Sequence, residues 1–481
     1  MLLTDTLAYK IKKPLDLGFL DFSSLAKREA CCREEIRLNR RLAPHIYIEA
    51  VPVTGSVEHP VLEGQGPVLE WAVKMHAFAP ASTLDLEANL QGTQIDAIAD
   101  RIARFHSDIA PATQDSPWGT AAQVQEPMQQ NFSQMGALHP PVEIQALLDR
   151  LAPWVSTEGT RLAPHFQARK AAGFVRECHG DLHLGNIAWV DDAPLIFDCI
   201  EFNPGLRFID VISEMAFLAM DLCHRGHDNL AWQALNRYLE HTGDYAGLAA
   251  LAYYMVYRAM VRAKVAALRA RQENSSFGEC RCYLELALRL TQPPAPALIL
   301  MHGVSGSGKT VVSQQLLESL PAVRLRSDVE RKRLFGLPPL GDSRAIPGGI
   351  YAPEASTRTR ERLLAQSALL LQQGFKVIVD ATFISPDWRK PFADLAVQLD
   401  VPWCWVAPEV PAETLRARVA ARAARGDDAS EAGPEVLESQ LAGQTPLDGE
   451  ESARCISPTP DWSADRLIHA TRTCLAHLAL P

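Results

Sequence analysis

The chain has 481 residues, 47% of them hydrophobic and 22% charged, with a formal net charge of −10 at pH 7. That length exceeds one ordinary core and calls for two domains or three. The acidic balance excludes a broad electrostatic grip on long nucleic acid, which needs a basic face, and no apolar run reaches the ~20 residues of a membrane helix.

The first residues, "MLLTDTLAYKIKKP", lack a basic start followed by a long apolar stretch, so no secretory signal is expected. Ten scattered cysteines contain no C-x-x-C pair, which predicts reduced thiols in a cytoplasmic protein. "LAYKIKK" reads as a short strand carrying Lys10 and Lys12 on one face. The charged helix "SSLAKREACCREEIRLNRRLA" follows and contains Glu35. Two short strands are expected near "YIEAVPV" and "VLEWAVKM", then mainly helices.

Those helices are broken by "GFVRECHGDLHLGNIAWVDDAPLIFDCIEF". Four residues separate Asp181 from Asn186, and Asp198 follows Asn186 by twelve. In that pattern Asp181 takes the proton of an attacking hydroxyl. Asn186 and Asp198 supply the hard oxygen ligands that magnesium prefers. "IAWV" and "PLIF" are the two short strands that bring them together. Further on, "LAALAYYMVYRAMVRAKVAAL" comes nearest to a membrane span, but Arg258, Arg262 and Lys264 interrupt it.

"LTQPPAPALILMHG" holds Pro293, Pro294 and Pro296, which disfavour a continuing helix. It divides the chain into residues 1–292 and 293–481. Strands are expected at 297–302, 323–327, 376–380, 402–407 and 466–469 with helices between them. That is the pattern of a parallel sheet with helices on both faces.

Gly303-Val-Ser-Gly-Ser-Gly308-Lys309-Thr310 fits G-x-x-x-x-G-K-[ST] and lies between a strand and a helix. Backbone N–H groups over Gly303, Ser305, Gly306, Ser307 and Gly308 would cradle the phosphates of ATP. Lys309 would reach the outer phosphates, and Thr310 would ligate Mg2+. Asp328 should end the second strand with Arg331 three residues on, a proton acceptor and an anion clamp. Asp380 closes "KVIVD" as a second magnesium carboxylate. Arg418, Arg422 and Arg425 share one helix face, with Arg416 beside them, and can close over ATP.

On these residues the second half resembles the small AAA-type P-loop kinases of the polynucleotide-kinase, zeta-toxin and gluconate-kinase sort. The resemblance implies that Asp328 is the base, Arg331 a substrate clamp, and Arg422 or Arg425 the lid finger, with Arg418 at the nucleotide. "HGDLHLGN" in the first half resembles the aminoglycoside and choline phosphotransferase family over roughly residues 1–290. It implies a protein-kinase-like fold in which Lys10 pairs with Glu35 and contacts phosphate, with Lys12 competing. It also implies a hinge at Glu70 to Ala72 and an Asp210 that braces the catalytic loop. That family has two strands and a covering loop ahead of its lysine strand. Here nine residues precede Lys10 and no glycine precedes Gly18, so a truncated N-lobe is expected, and its hold on ATP stays open.

The fold class expected is therefore α/β and α+β in two domains, a kinase-like fold followed by a P-loop parallel sheet. The leading functional reading is a tandem kinase using ATP and Mg2+ to phosphorylate a hydroxyl of a small molecule, cytoplasmic and away from membranes. A 5′-hydroxyl kinase of nucleotides or oligonucleotides is one alternative. A nucleotide-gated regulator with a non-catalytic first half is the other. Nothing in the sequence specifies an oligomeric state.

Overall fold

The computed structural model describes every residue except 17–19, 293–294, 344–345, 347–348, 426–427 and 478–481, together with the side chains of 80, 423–425 and 477. Two of the connector prolines, Pro293 and Pro294, thus lie outside the described residues. The chain divides into two compact units, and the division is discontinuous. Residues Met1–His227 and Ala249–Thr291 form one unit, and Asp228–Leu248 joins Gln292–Pro481 in the other.

The first unit opens with β1 (Leu2–Leu3), β2 (Leu7–Ile11), α1 (Leu25–Asn39), β3 (Tyr47–Gly55), β4 (Pro60–Leu62) and β5 (Glu70–His76). The strands make one antiparallel sheet in the order β1-β2-β5-β3-β4. Ser24 caps α1 by accepting from the Lys27 N–H, as serine does before a helix. Cys32 and Ile36 of α1 pack on Ala8, Tyr47, Val73 and Met75 of the sheet. The turn between β1 and β2 is Thr4-Asp5-Thr6, without glycine.

The rest of the unit holds α2 (Gly92–Asp108), α3 (Ala121–Ala137), α4 (Val142–Ala171), α5 (Val211–His224), α7 (Leu251–Glu273) and α8 (Gly278–Leu290). Two small antiparallel ladders sit among them, β6 (Val175–Glu177) with β9 (Phe208–Asp210), and β7 (Ile187–Val190) with β8 (Ala193–Ile196). Nearly all of α5 is buried, which its apolar residues on every face require. No helix among the described residues is long and apolar enough to cross a membrane. All ten cysteines are free thiols.

The second unit contains α6 (Asp228–Thr242), β10 (Ala297–Met301), α9 (Lys309–Ser319), β11 (Ala322–Arg326), α10 (Ser327–Leu334), α11 (Pro353–Gln372) and β12 (Lys376–Asp380). It continues with α12 (Pro386–Gln398), β13 (Trp403–Val406), α13 (Ala412–Arg425), α14 (Pro434–Gly443), α15 (Gly449–Ala453), β14 (Cys455–Ile456) and α16 (Ala464–His477). Its sheet is parallel, in the order β11-β12-β10-β13-β14. The central strands are continuous buried runs, as parallel strands covered on both faces must be.

One expected strand is corrected. Residues 466–469 lie in α16, and the fifth strand is β14. Leu467, Thr471 and Leu475 are buried at helical spacing, so a short apolar cluster that reads as a strand is one face of an amphipathic helix.

The edge strand β11 is met by α6. Asn236 Nδ2 donates to Ala322 O at 2.9 Å, and Arg324 N donates to Asn236 Oδ1 at 2.7 Å. One carboxamide thus satisfies a donor and an acceptor that a neighbouring strand would otherwise pair.

Candidate functional site

In the second unit, β10 delivers the chain into the loop 303–308 and α9 starts at Lys309. Gly303, Gly306 and Gly308 have φ of 131°, 83° and 92°, a region that side chains other than glycine avoid. A Cβ on Gly306 would meet Leu415 O at 2.9 Å, so this glycine also lets α13 approach. Lys309 folds back on its own loop, donating to Gly303 O and Val304 O at 2.8 Å each. Gln440 Oε1 accepts from Ser305 N at 2.7 Å. Burial pulls the Lys309 ammonium down to about 8, with Asp380 and Asp328 opposing that shift and Arg422 adding to it.

Asp380 ends β12, next to β10 in the sheet. Its Oδ2 accepts from Thr310 Oγ1 at 2.9 Å and from Ser313 Oγ at 3.4 Å. Two hard oxygens side by side, next to a phosphate loop, suit a divalent cation that keeps most of its waters. Thr310 and Asp380 are the residues that would hold Mg2+ here.

Asp328, Arg331, Arg418 and Arg422 line the same cavity of about 600 Å³ as Lys309, Thr310 and Asp380. Asp328 begins α10 directly after β11. Burial raises its carboxyl, against Arg331, a Ser430 hydrogen bond and Arg326. Arg331 lies 5.0 Å from the Tyr351 ring and donates through Nη1 to Ile350 O and Ser356 Oγ. Its Nε is buried with no hydrogen-bond partner among the described residues. Arg418 Nη1 reaches Gly306 O at 3.5 Å, and Arg422 Nη2 donates to Ala432 O at 3.0 Å. The Arg425 side chain lies outside the described residues.

Arg326, Tyr351, Asp428 and Gln440 also line this cavity and escaped the sequence reading. Arg324 and Arg326 carried a signal. They alternate on β11 and so share one face of a strand that is otherwise apolar.

In the first unit, the β7–β8 hairpin holds Asn186 and Asp198 at one end, with Phe197 N donating to Asn186 O at 3.0 Å. Asn186 Nδ2 donates to Asp181 O at 2.9 Å and to Asp181 Oδ2 at 3.0 Å, an arrangement that turns its carboxamide oxygen elsewhere. Burial pushes the Asp181 carboxyl up, but the His183 hydrogen bond and the charges of His183, His179 and Arg258 outweigh it and hold it at about 2. Asp198 takes a left-handed φ of 63°, a conformation that costs a non-glycine residue energy and that aspartate tolerates better than most. Asn186 and Asp198 offer hard oxygens that suit magnesium.

Lys10 Nζ bridges Glu35 Oε1 at 2.9 Å and Asp198 Oδ1 at 2.5 Å. Lys12 also pairs with Glu35, through Oε2 at 2.6 Å, and with Glu201. The competition between the two lysines therefore ends in a shared carboxylate. Lys12 is buried, whereas the Lys10 side chain keeps 28% exposure and reaches Asp198. Glu201, three residues after Asp198, is the partner that sequence reasoning missed.

Two expectations in this unit are corrected. Glu70, Trp71 and Ala72 lie inside β5, paired across to Val53, Pro52 and Val51, so they are ladder residues and the chain leaves the sheet only after His76. Asp210 caps α5 through Ile212 N and pairs with Arg169 at 2.5 and 2.7 Å. The carboxylates that brace the 180–186 loop are Glu214, which accepts from Gly180 N at 2.7 Å, and Asp221, which accepts from Leu184 N at 2.9 Å.

Residues 19–251 match the model of the phosphotransferase enzyme family, and residues 298–447 match that of an AAA domain. An uncharacterized protein of Mycobacterium tuberculosis (strain ATCC 25618 / H37Rv) is 28% identical over 429 residues, which is 88% of this chain and 84% of that protein. A protein of Mycobacterium bovis (strain ATCC BAA-935 / AF2122/97) matches with the same identity and coverage. Among solved structures, a gluconokinase from Sinorhizobium meliloti 1021 is 18% identical, covering 39% of this chain and 95% of its own, with a TM-score of 0.28. The Mycobacterium tuberculosis APS kinase CysC, solved with AMPPNP and APS, is 20% identical, covering 38% of this chain and 99% of its own, with a TM-score of 0.29.

Proposed function

We propose that this chain, which joins a phosphotransferase-like region to an AAA-type P-loop region, is an ATP-dependent phosphotransferase acting on a hydroxyl of a small molecule. The functional division we propose runs near residue 293, with one phosphate-transfer site in each part. The observation that carries the reading is the single cavity bringing Lys309, Thr310 and Asp380 together with Asp328 and Arg331.

In the P-loop part, the loop N–H groups and Lys309 bind the phosphates. Binding requires Lys309 Nζ to leave Gly303 O and Val304 O, and Gln440 to release Ser305 N. Asp328 accepts the proton of the acceptor hydroxyl as its oxygen bonds to the γ-phosphorus and the bond to the β-phosphate oxygen breaks. Its raised pKa makes it a better proton acceptor than an ordinary carboxylate. Arg331, buried with an unused Nε–H, holds an anionic group of the acceptor. Arg418 and Arg422 neutralise charge on the transferring phosphoryl group. Magnesium, held by Thr310 and Asp380, would supply charge neutralisation between the phosphates.

In the phosphotransferase-like part, Asp181 takes the proton-accepting role, Lys10 the phosphate contact, and Asn186 and Asp198 the metal ligands. Lys10 would leave Asp198 when phosphate enters while keeping Glu35. A cytoplasmic location agrees with the free thiols.

The test is calorimetric titration of the full chain with a non-hydrolysable ATP analogue and magnesium, beside a Lys309→Ala variant. Two binding events falling to one is the expected result. A single event abolished by the variant would remove the kinase assignment of the first part. Binding unchanged by the variant would overturn the P-loop reading.

A further inference from the structure

Helix α6 lies within the stretch matched by the phosphotransferase family model, yet it packs into the P-loop unit. Its Glu240 is 3% exposed and grips two arginines of β11. Oε1 accepts from Arg324 Nη2 at 2.8 Å, and Oε2 from Arg326 Nη1 at 3.3 Å. Each arginine leads to the nucleotide cavity by a different path. Arg324 Nη1 donates to Ser313 Oγ at 3.3 Å, and Ser313 donates to Asp380 Oδ2 at 3.4 Å, the oxygen that Thr310 also contacts. Arg326 lines the cavity and shares its other Nη with Asp428 at 3.3 Å.

We propose that Glu240 is a positioning residue of the magnesium–nucleotide site: its carboxylate anchors Arg324 and Arg326 so that Asp380 stays free for a divalent cation. The inference rests on the P-loop reading above. Two guanidinium groups, Arg324 buried and Arg326 part-exposed at the cavity, compete with a cation for a nearby carboxylate unless another anion holds them. After Glu240, the carboxylates whose charge Arg326 feels are Asp380, Asp428 and Asp328, in that order. Glu240 is ionised for this task. Burial raises its carboxyl, and Arg324 and Arg326 outweigh that and hold it at about 2. The ladder contact of Asn236 one turn earlier on α6 fixes the helix against β11 independently of charge.

The experiment measures ADP binding to the full chain by calorimetry across a magnesium series, with Lys309→Ala defining the P-loop contribution. Glu240→Gln keeps the shape and removes the charge. Ser313→Ala removes the hydroxyl that joins Arg324 to Asp380. Asn236→Ala disturbs the same helix without touching Glu240. Glu240→Gln and Ser313→Ala should each raise the magnesium concentration for half-maximal enhancement of ADP binding, by roughly tenfold for Glu240→Gln. Magnesium-free ADP affinity should change less. Asn236→Ala should lower the melting temperature and leave the magnesium dependence as in the parent.

A folded Glu240→Gln or Ser313→Ala chain with the parent's magnesium dependence overturns the proposal, and so does an equal shift in Asn236→Ala. If Glu240→Gln does not fold, Ser313→Ala decides alone. Glu240→Asp should restore part of the loss. ADP binding that survives Lys309→Ala would overturn the P-loop reading itself, an outcome distinct from unshifted magnesium curves on a Lys309-dependent site.

Discussion

The Thr310 hydroxyl donates a 2.9 Å hydrogen bond to Asp380 Oδ2 across 70 residues of sequence. These two oxygens, one on the first turn of α9 and one at the end of β12, are the pair that the proposed function assigns to magnesium. Asp380→Asn keeps the shape and removes the charge. Magnesium-dependent ADP affinity should fall at least roughly tenfold, while magnesium-free affinity should hold or rise, because the anion facing the phosphates is gone. Calorimetry with and without magnesium checks this, and equal losses in both conditions would count against a metal role.

Lys309 sits at about 8 because burial disfavours its charge. Phosphates favour the protonated form, so nucleotide affinity should fall as pH rises through about 8, by at most about one decade per pH unit. Binding near that pH should take up a proton. Calorimetry in two buffers of different ionisation enthalpy reads the uptake directly, and Lys309→Ala should abolish it.

Glu214 is fully buried and holds both Gly180 N and His106. Burial raises its carboxyl, and the His106 hydrogen bond, the charges of His106 and His179 and the Gly180 N–H together bring it to about 2, below its ordinary 4.5. A depressed carboxylate stabilises the fold above its unfolded pKa and loses that contribution as pH falls through the folded one. The first unit should therefore lose stability between about pH 4.5 and about 2, by on the order of 3 kcal/mol from this group. Melting curves over that range should steepen in the parent and flatten in Glu214→Gln.

Lys10 and Lys12 share Glu35 but differ in surroundings. Lys12 is almost fully buried, and Lys10 is part-exposed beside Asp198. Lys12→Met should chiefly change stability, and Lys10→Met should remove nucleotide binding by the first unit with a smaller change in melting. Glu35→Ala leaves both cations without their common anion and should cost about 3–5 kcal/mol. Denaturant titration together with nucleotide binding separates the three, and a Lys12→Met chain that loses nucleotide binding while melting normally would reverse the assignment of the two lysines.

Much of the P-loop site was legible because its chemistry is contiguous. Eight residues from Gly303 to Thr310 carry the loop, and local backbone geometry forms it wherever a strand feeds a helix. Asn186 and Asp198 come together for a similar reason, since a hairpin of four-residue strands joins them, and Asp181 meets Asn186 five residues before it. Buried runs such as "ALILM" and "KVIVD" marked parallel strands, whereas "RLIH" resisted because four residues cannot separate a strand from one face of a helix.

Sequence alone determined the glycine-rich loop from Gly303 to Thr310, the spacing of Asp181, Asn186 and Asp198, and the alternation of strands and helices in the second half. Tertiary structure decided which charges meet. Glu240 reaches Arg324 over 84 residues and Lys10 reaches Asp198 over 188. It also moved loop bracing from Asp210 to Glu214, and enrolled α6 in the P-loop unit. The physical reason is that a local motif specifies its own backbone, but a buried charge takes whichever counter-charge the packing delivers. That choice depends on burial and distance, which no local spacing encodes.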